Sequence, residues 1–125
     1  MSVEELLYSH LTGHSGLVAV VGNRIYPMAL PQEPTLPAVR YQLISREELH
    51  VPLLLVNRRY QLDGYAMSYA EAKLIESVLR AALYSFNRAV AGCILSTFID
   101  SIRDDYDPEL SEFGISVDAI ITCSE

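Results

Sequence analysis

Four prolines fall in the eleven residues from Pro27 to Pro37, at positions 27, 31, 34 and 37, and they set the first limit on the fold. Proline removes a backbone N–H, fixes φ at about −65°, and pushes its predecessor out of the helical region. Neither a helix nor an interior strand runs through Pro27-Met28-Ala29-Leu30-Pro31-Gln32-Glu33-Pro34-Thr35-Leu36-Pro37. The stretch reads as a stiff, extended, ordered loop. Regular elements must lie on either side of it.

On the N-terminal side, Val3, Leu6, Leu7 and Leu11 recur at helical spacing, with Ser2 as N-cap and Glu5 as its capping-box partner. This helix ends near Gly13. Ser15 to Val21 reads as a short second helical turn capped by Ser15 and closed by Gly22-Asn23. Arg24-Ile25-Tyr26 is then a short strand leading into the loop.

On the C-terminal side, Ala38 to Arg46 alternates Val39, Tyr41 and Leu43 against Arg40, Gln42 and Ile44, which is the period of a strand. Val56 to Ala66 does the same with Val56, Tyr60 and Leu62, but Arg58 falls on the apolar side and the pattern offers no reason for it. Between them, Glu47 to Leu55 has no clear period and reads as a connection projecting as a hairpin arm. Ser68 caps the strongest helix, whose stripe holds Ala70, Leu74, Ile75, Val78, Leu79, Ala82 and Leu83. Glu71, Lys73, Glu76 and Arg80 take its other face, with Glu76 and Arg80 in the favourable i, i+4 order.

Cys93–Arg103 and Glu112–Cys123 read as an antiparallel pair around the turn Asp104-Asp105-Tyr106-Asp107-Pro108-Glu109. Ile115, Val117, Ala119, Ile121 and Cys123 share one face of the last strand. Ile120 and Ile99 place apolar side chains on the other, which predicts a sheet covered by helices on one side and by a neighbouring subunit on the other. The expected fold is α+β: one domain over 1–125, a mainly antiparallel four- to five-stranded sheet packed by two helices.

With 125 residues, half of them hydrophobic, the chain has enough material for one core. A net charge of −7 denies it the basic excess that general nucleic-acid binding requires, while a ring through which DNA slides would tolerate acidity. Cys93 and Cys123 sit in apolar runs and read as buried thiols. The acidic N-terminus lacks the pattern of a signal peptide, and no apolar run reaches bilayer length, so a soluble protein made inside the cell is expected.

Motifs for chemistry are weak. Gly13-His14-Ser15-Gly16 resembles a nucleophile elbow, but Leu17 stands where glycine is required and a helix precedes it instead of a strand. His10 and His14 are spaced as metal ligands can be, yet Gly13 interrupts their helix. Asp104, Asp105, Asp107 and Glu109 lack the glycine and distal glutamate of a calcium loop. A polar turn, or a surface facing a basic patch on a partner, is the plainer reading, and no cofactor is expected. A small metal-dependent hydrolase built from His10, His14 and these acids is the rival from a different class.

Taken in order, Gly22-x-Arg24-Ile25-Tyr26-Pro27, Pro31-Gln32, Leu36-Pro37, Tyr41-Gln42-x-x-Ser45, Ser68-Tyr69-Ala70-Glu71-Ala72 and Asp104-Asp105-Tyr106-Asp107-Pro108 resemble a tailed-phage family. That family is the tail-completion, or head-to-tail joining, proteins of long-tailed bacteriophages, tail-terminator-like in fold. The resemblance covers nearly the whole chain. It departs at Val51-Pro52-Leu53-Leu54-Leu55, where a small polar connection would be expected.

The resemblance implies a non-enzymatic virion protein, made in the host cytoplasm, that forms a ring, a hexamer, at the head-proximal end of the tail. Its implied partners are copies of itself, the tail-tube protein and the head-completion or connector protein, with DNA passing through the lumen and no membrane involved. Another virion ring or tube subunit, for the tail tube or for head completion, is the nearest alternative. Ile25, Tyr26, Leu30, Leu53, Leu54 and Ile120 are the expected subunit contacts, Ile25-Tyr26 by docking on a neighbour's sheet edge. Asp104, Asp105 and Asp107 are the expected partner-facing acids.

Overall fold

A computed structural model describes residues 2–49 and 55–124. Three helices, α1 (Val3–Gly13), α2 (Ser15–Val21) and α3 (Tyr69–Tyr84), pack with five strands, β1 (Ile25–Pro27), β2 (Ala38–Glu48), β3 (Leu55–Ala66), β4 (Ile94–Asp107) and β5 (Glu112–Ser124). The strands form one sheet in the order β1-β2-β3-β5-β4. All neighbours are antiparallel except β1 and β2, which run parallel. The α+β class and the mainly antiparallel sheet follow the sequence reading; the helices number three, not two.

The proline loop is what makes the parallel pair possible, because a chain must travel back before it can run parallel to itself. Residues 28–37 make that return, and both ends of the loop are fastened to the sheet. The Met28 N–H donates to the Tyr41 carbonyl at 2.8 Å, Arg40 Nη1 donates to the Met28 carbonyl at 3.1 Å, and Arg24 Nε donates to the Pro37 carbonyl at 2.8 Å. One correction follows. Ile25 pairs with Val39 of its own chain and is 2% exposed, so its side chain belongs to the core and is not on offer as a surface contact. The outer edge of β1 is also closed locally, since the Ile25 N–H bonds to Asn23 and the Pro27 carbonyl accepts from Ala29.

The helices begin where short polar side chains satisfy exposed N–H groups. The Ser2 hydroxyl accepts from the Glu5 N–H and the Ser68 hydroxyl from the Glu71 N–H, both at 3.2 Å. Helix α2 differs from expectation: His14, not Ser15, is its cap, and His14 Nδ1 accepts from the Leu17 N–H at 3.3 Å. Val3, Leu7 and Leu11 of α1, Leu17 and Val21 of α2, and Ala72, Ile75, Leu79, Ala82 and Leu83 of α3 face one side of the sheet. Ala70 and Leu74 lie outside that buried stripe.

Helix α3 comes down on the sheet over Gly64. A Cβ there would stand 2.5 Å from Ile75 Cγ2 and 3.3 Å from Ile115 Cδ1, so the missing side chain is the space that the helix occupies. Arg58, unexplained by the strand period, tucks under the start of α1 with its side chain 11% exposed and donates to Glu4 Oε1 at 2.5 Å. It couples the first helical turn to β3. Burial pushes the nearby Tyr60 phenol well above its usual range, and the Glu4 charge adds to this.

Strand β4 carries two register shifts, between Ile94 and Ser96 and between Ile99 and Ser101. The second lets Ile99 and Ile102 both pack toward the helices, since a bulge reverses the alternation beyond it. The expectation that Ile99 joins Ile120 on the far face is corrected accordingly. β4 also runs on to Asp107, so the acids at 104, 105 and 107 belong to strand, and the turn occupies residues 108–111. Likewise β2 reaches Glu48 and β3 begins at Leu55, so most of the described part of the expected connection is strand.

Asp104 fastens the far end of β4 to α3. Its carboxylate accepts from Lys73 Nζ at 2.7 Å and from the Tyr69 hydroxyl at 2.9 Å, and Glu76 meets Lys73 at 3.0 Å, a partner other than the expected Arg80. The Lys73 contact first, and then the Tyr69 hydrogen bond, hold the Asp104 carboxyl below its usual range.

Two outcomes are expected. Gly64→Ala forces Ile75 aside and lowers stability by about 1–3 kcal/mol, the usual cost of overpacking, read as a lower denaturant midpoint at unchanged slope. Because its pKa is depressed on folding, Asp104 contributes stability that is present above about pH 4 and is lost as pH falls through the lower, folded value. Asp104→Asn should flatten the acid limb of a thermal-midpoint profile; an unchanged limb would contradict the tether.

Candidate subunit interface

The face of the sheet turned away from the helices is largely polar, which corrects the expectation of a sheet apolar on both sides. Asp63, 2% exposed, is the only buried charged residue among the described residues. Burying a carboxylate is costly unless its oxygens are satisfied, and here Arg40 Nε donates at 2.7 Å, Gln61 Nε2 at 3.0 Å and the Ser116 hydroxyl closes the set. Farther along, Arg103 meets Asp118 at 2.9 Å, Arg59 meets Asp100 at 3.0 Å, and Thr122 donates to Asn57 at 2.7 Å. Ile120, half-buried, pairs across the strands with exposed Phe98 and with Arg59. The apolar content of this face is concentrated in that spot.

Tyr26 and Leu30 are half-buried on and just after β1, and Met28 between them is exposed with φ at 68°. A methionine in the left-handed region is strained by about 1–3 kcal/mol, and the two backbone bonds already described hold it there. Beside it opens a groove of about 550 Å³ lined by Glu4, Glu5, Tyr8, Ser9, Pro27 and Tyr41, with the rings of Tyr8 and Tyr41 6.2 Å apart. Sequence reasoning missed Tyr8. Its signal was a large aromatic residue standing off the Val3, Leu7, Leu11 stripe.

The β2 side of the arm, from Leu43 to Leu49, is exposed along its whole length, including Leu43, Ile44 and Leu49. Leu53 and Leu54 lie outside the described residues. The three acids at the end of β4 have separate duties: Asp104 holds α3, Asp105 accepts from the Tyr106 N–H, and Asp107 accepts from the N–H groups of Glu109 and Leu110. Tyr26, Met28 and Leu30 follow one another along β1 and the start of the loop, whereas Ile120 lies on β5, three strands away in the sheet.

The hydrolase constellation is not assembled. His10 Nε2 lies 2.7 Å from the Ala82 carbonyl, at the C-terminal end of α3, while Asp104 bonds Tyr69 and Lys73 at its N-terminal end. From Tyr69 to Ala82 the helix rises about 20 Å. His14 is engaged as a helix cap.

Among the described residues no helix is long and apolar enough to cross a membrane. No curated protein matches the chain. Among solved structures, a chain described as "Virion of native gene transfer agent (GTA) particle" shares the fold with a TM-score of 0.75. It is 14% identical, over 99% of this chain and 96% of that one. The family described as "Tail completion protein gp17" matches residues 5–122. With the match spanning nearly all of the helices and the sheet, this chain belongs to the tail completion protein gp17 family and is a structural tail protein.

Proposed function

We propose that copies of this chain form a ring, a hexamer, at the head-proximal end of the tail, where the ring caps the tube and joins it to the head connector. The family match over residues 5–122 carries this reading. The likeness in fold to a chain of a gene transfer agent virion is consistent with it. In this reading the protein acts by binding and not by catalysis, and its partners are its own copies, the tail-tube protein and the head-completion or connector protein. DNA passes through the lumen without specific contact. Such a protein is made in the host cytoplasm and ends in the virion.

The subunit contacts are Tyr26 and Leu30 of the fastened loop, supported by the Tyr8–Tyr41 groove, together with Leu53 and Leu54 of the arm and Ile120 of the far face. A loop held by hydrogen bonds at both ends gives up little freedom on docking, which favours it as a contact. Ile25 supports that loop from the core.

Native mass spectrometry of the purified protein, alone and with its tail-tube partner, tests the ring. The expected species is six times 14.0 kDa. Tyr26→Asp with Leu30→Asp should reduce it to the single-chain mass while the circular dichroism spectrum is unchanged; an intact oligomer in that variant would remove the loop from the interface.

A further inference from the structure

Of the nine lysines and arginines, only Arg80 and Arg88 have no hydrogen-bonded or ion-paired partner among the described residues. The others each meet a carboxylate, or for Arg24 the Pro37 carbonyl. Arg80 is left over because Glu76, one turn earlier in the favourable order, is taken by Lys73 at 3.0 Å. An exposed guanidinium without a carboxylate is unusual in so acidic a chain.

Arg80 stands two turns beyond Lys73, so the two share a face of α3, and Lys73 reaches across to Asp104 of β4. That face therefore overlooks the β4 margin of the sheet. Tyr84, one turn farther on and 57% exposed, lies beside Arg80 on it. Arg88 belongs elsewhere, to the turn after α3, whose Val90 lines a second cavity against His10 and His14.

The groove between Tyr8 and Tyr41 lies at the opposite margin, over β1 and β2. Of its two carboxylates, Glu4 is committed to Arg58, whereas Glu5 is exposed and meets no cation among the described residues. One margin thus offers a cation beside a tyrosine, and the other offers a carboxylate beside two. A guanidinium stacks on an aromatic ring while its N–H groups bond a carboxylate, so a groove of about 550 Å³ with these walls suits an arginine.

The same charges say which copy supplies it. Two α3 flanks set together would oppose Arg80 to Arg80, and two grooves Glu5 to Glu5, so neither surface suits a contact with its like. The unlike surfaces fit each other. A contact between unlike surfaces at opposite margins repeats from copy to copy and gives a ring when the rotation closes.

We propose that Arg80 of one copy, with Tyr84 beside it, seats in the Tyr8–Tyr41 groove of the next, its guanidinium stacked on Tyr8 and paired with Glu5. The proposal rests on the ring reading above and names two surfaces that the ring brings together.

The test is native mass spectrometry of charge-reversed variants, alone and with the tail-tube protein. Arg80→Glu and Glu5→Arg should each lower the fraction at the ring mass roughly tenfold with an unchanged circular dichroism spectrum, and the two combined should restore it. Tyr8→Ser, which leaves every charge in place, should weaken the ring as well. Arg88→Glu makes the same change in net charge outside the contact and should leave the ring intact. A ring that survives both single reversals overturns the contact, as does a double variant no better than its worse parent, or loss of the ring in Arg88→Glu. If the ring survives while the tail-tube protein no longer binds, the groove belongs to that other protein and the contact is again overturned. An unaltered protein that forms no ring under either condition overturns the ring reading itself, and the contact with it.

Discussion

Everything in this fold depends on α3 lying close against the middle of the sheet, and that closeness is set by Gly64. Ile75 occupies the volume that a β-carbon would take, so the helix packs against backbone. Leu79, Ala82 and Leu83 then continue the contact toward Phe86, which is fully buried. Helix α2 packs on α3 and α1 packs on α2, so the helical layer is built outward from this one approach. The Arg58 to Glu4 pair completes it by drawing the first turn of α1 down to β3.

The consequence for assembly is a division of labour between the two sides of the sheet. One side is filled by the chain's own helices. The other is occupied by ion pairs and hydrogen bonds that satisfy each other, with Asp63 at their centre. Neither broad face is an apolar plane waiting for a neighbour. Apolar surface remains accessible at the fastened proline loop with the Tyr8–Tyr41 groove, along the exposed flank of the arm, at the hairpin end and at the Phe98–Ile120 spot, and singly at Leu74, Tyr84 and Val90.

Much of this was legible in the sequence because it is local. Ser2 and Ser68 announce helix starts by residue type, and the alternation in 38–46 and 56–66 needs only a period of two. What could not be read depends on long-range register. Nothing in the residues around Ile99 marks the bulge at Asp100 that turns Ile99 toward the helices, because a bulge is defined against the partner strand. Arg58 breaks its strand's pattern for the same kind of reason, its partner lying 54 positions earlier. The acids of 104–107 looked like turn formers by composition, but pairing with residues 112–115 keeps them in a strand. The candidate contacts suffered most at Ile25, where apolar character alone does not tell a core residue from an interface one.

The closed outer edge of β1 bears on the life of the protein before it meets any partner. A newly made chain with bare strand edges tends to anneal to other copies through its backbone and precipitate. Here Pro27 and two local hydrogen bonds seal one margin. The stretch of β2 beyond it is kinked at Ile44 and carries Arg46, Glu47 and Glu48. On the opposite margin, β4 has two bulges and a run of acids. Backbone annealing between copies is thereby disfavoured along both margins.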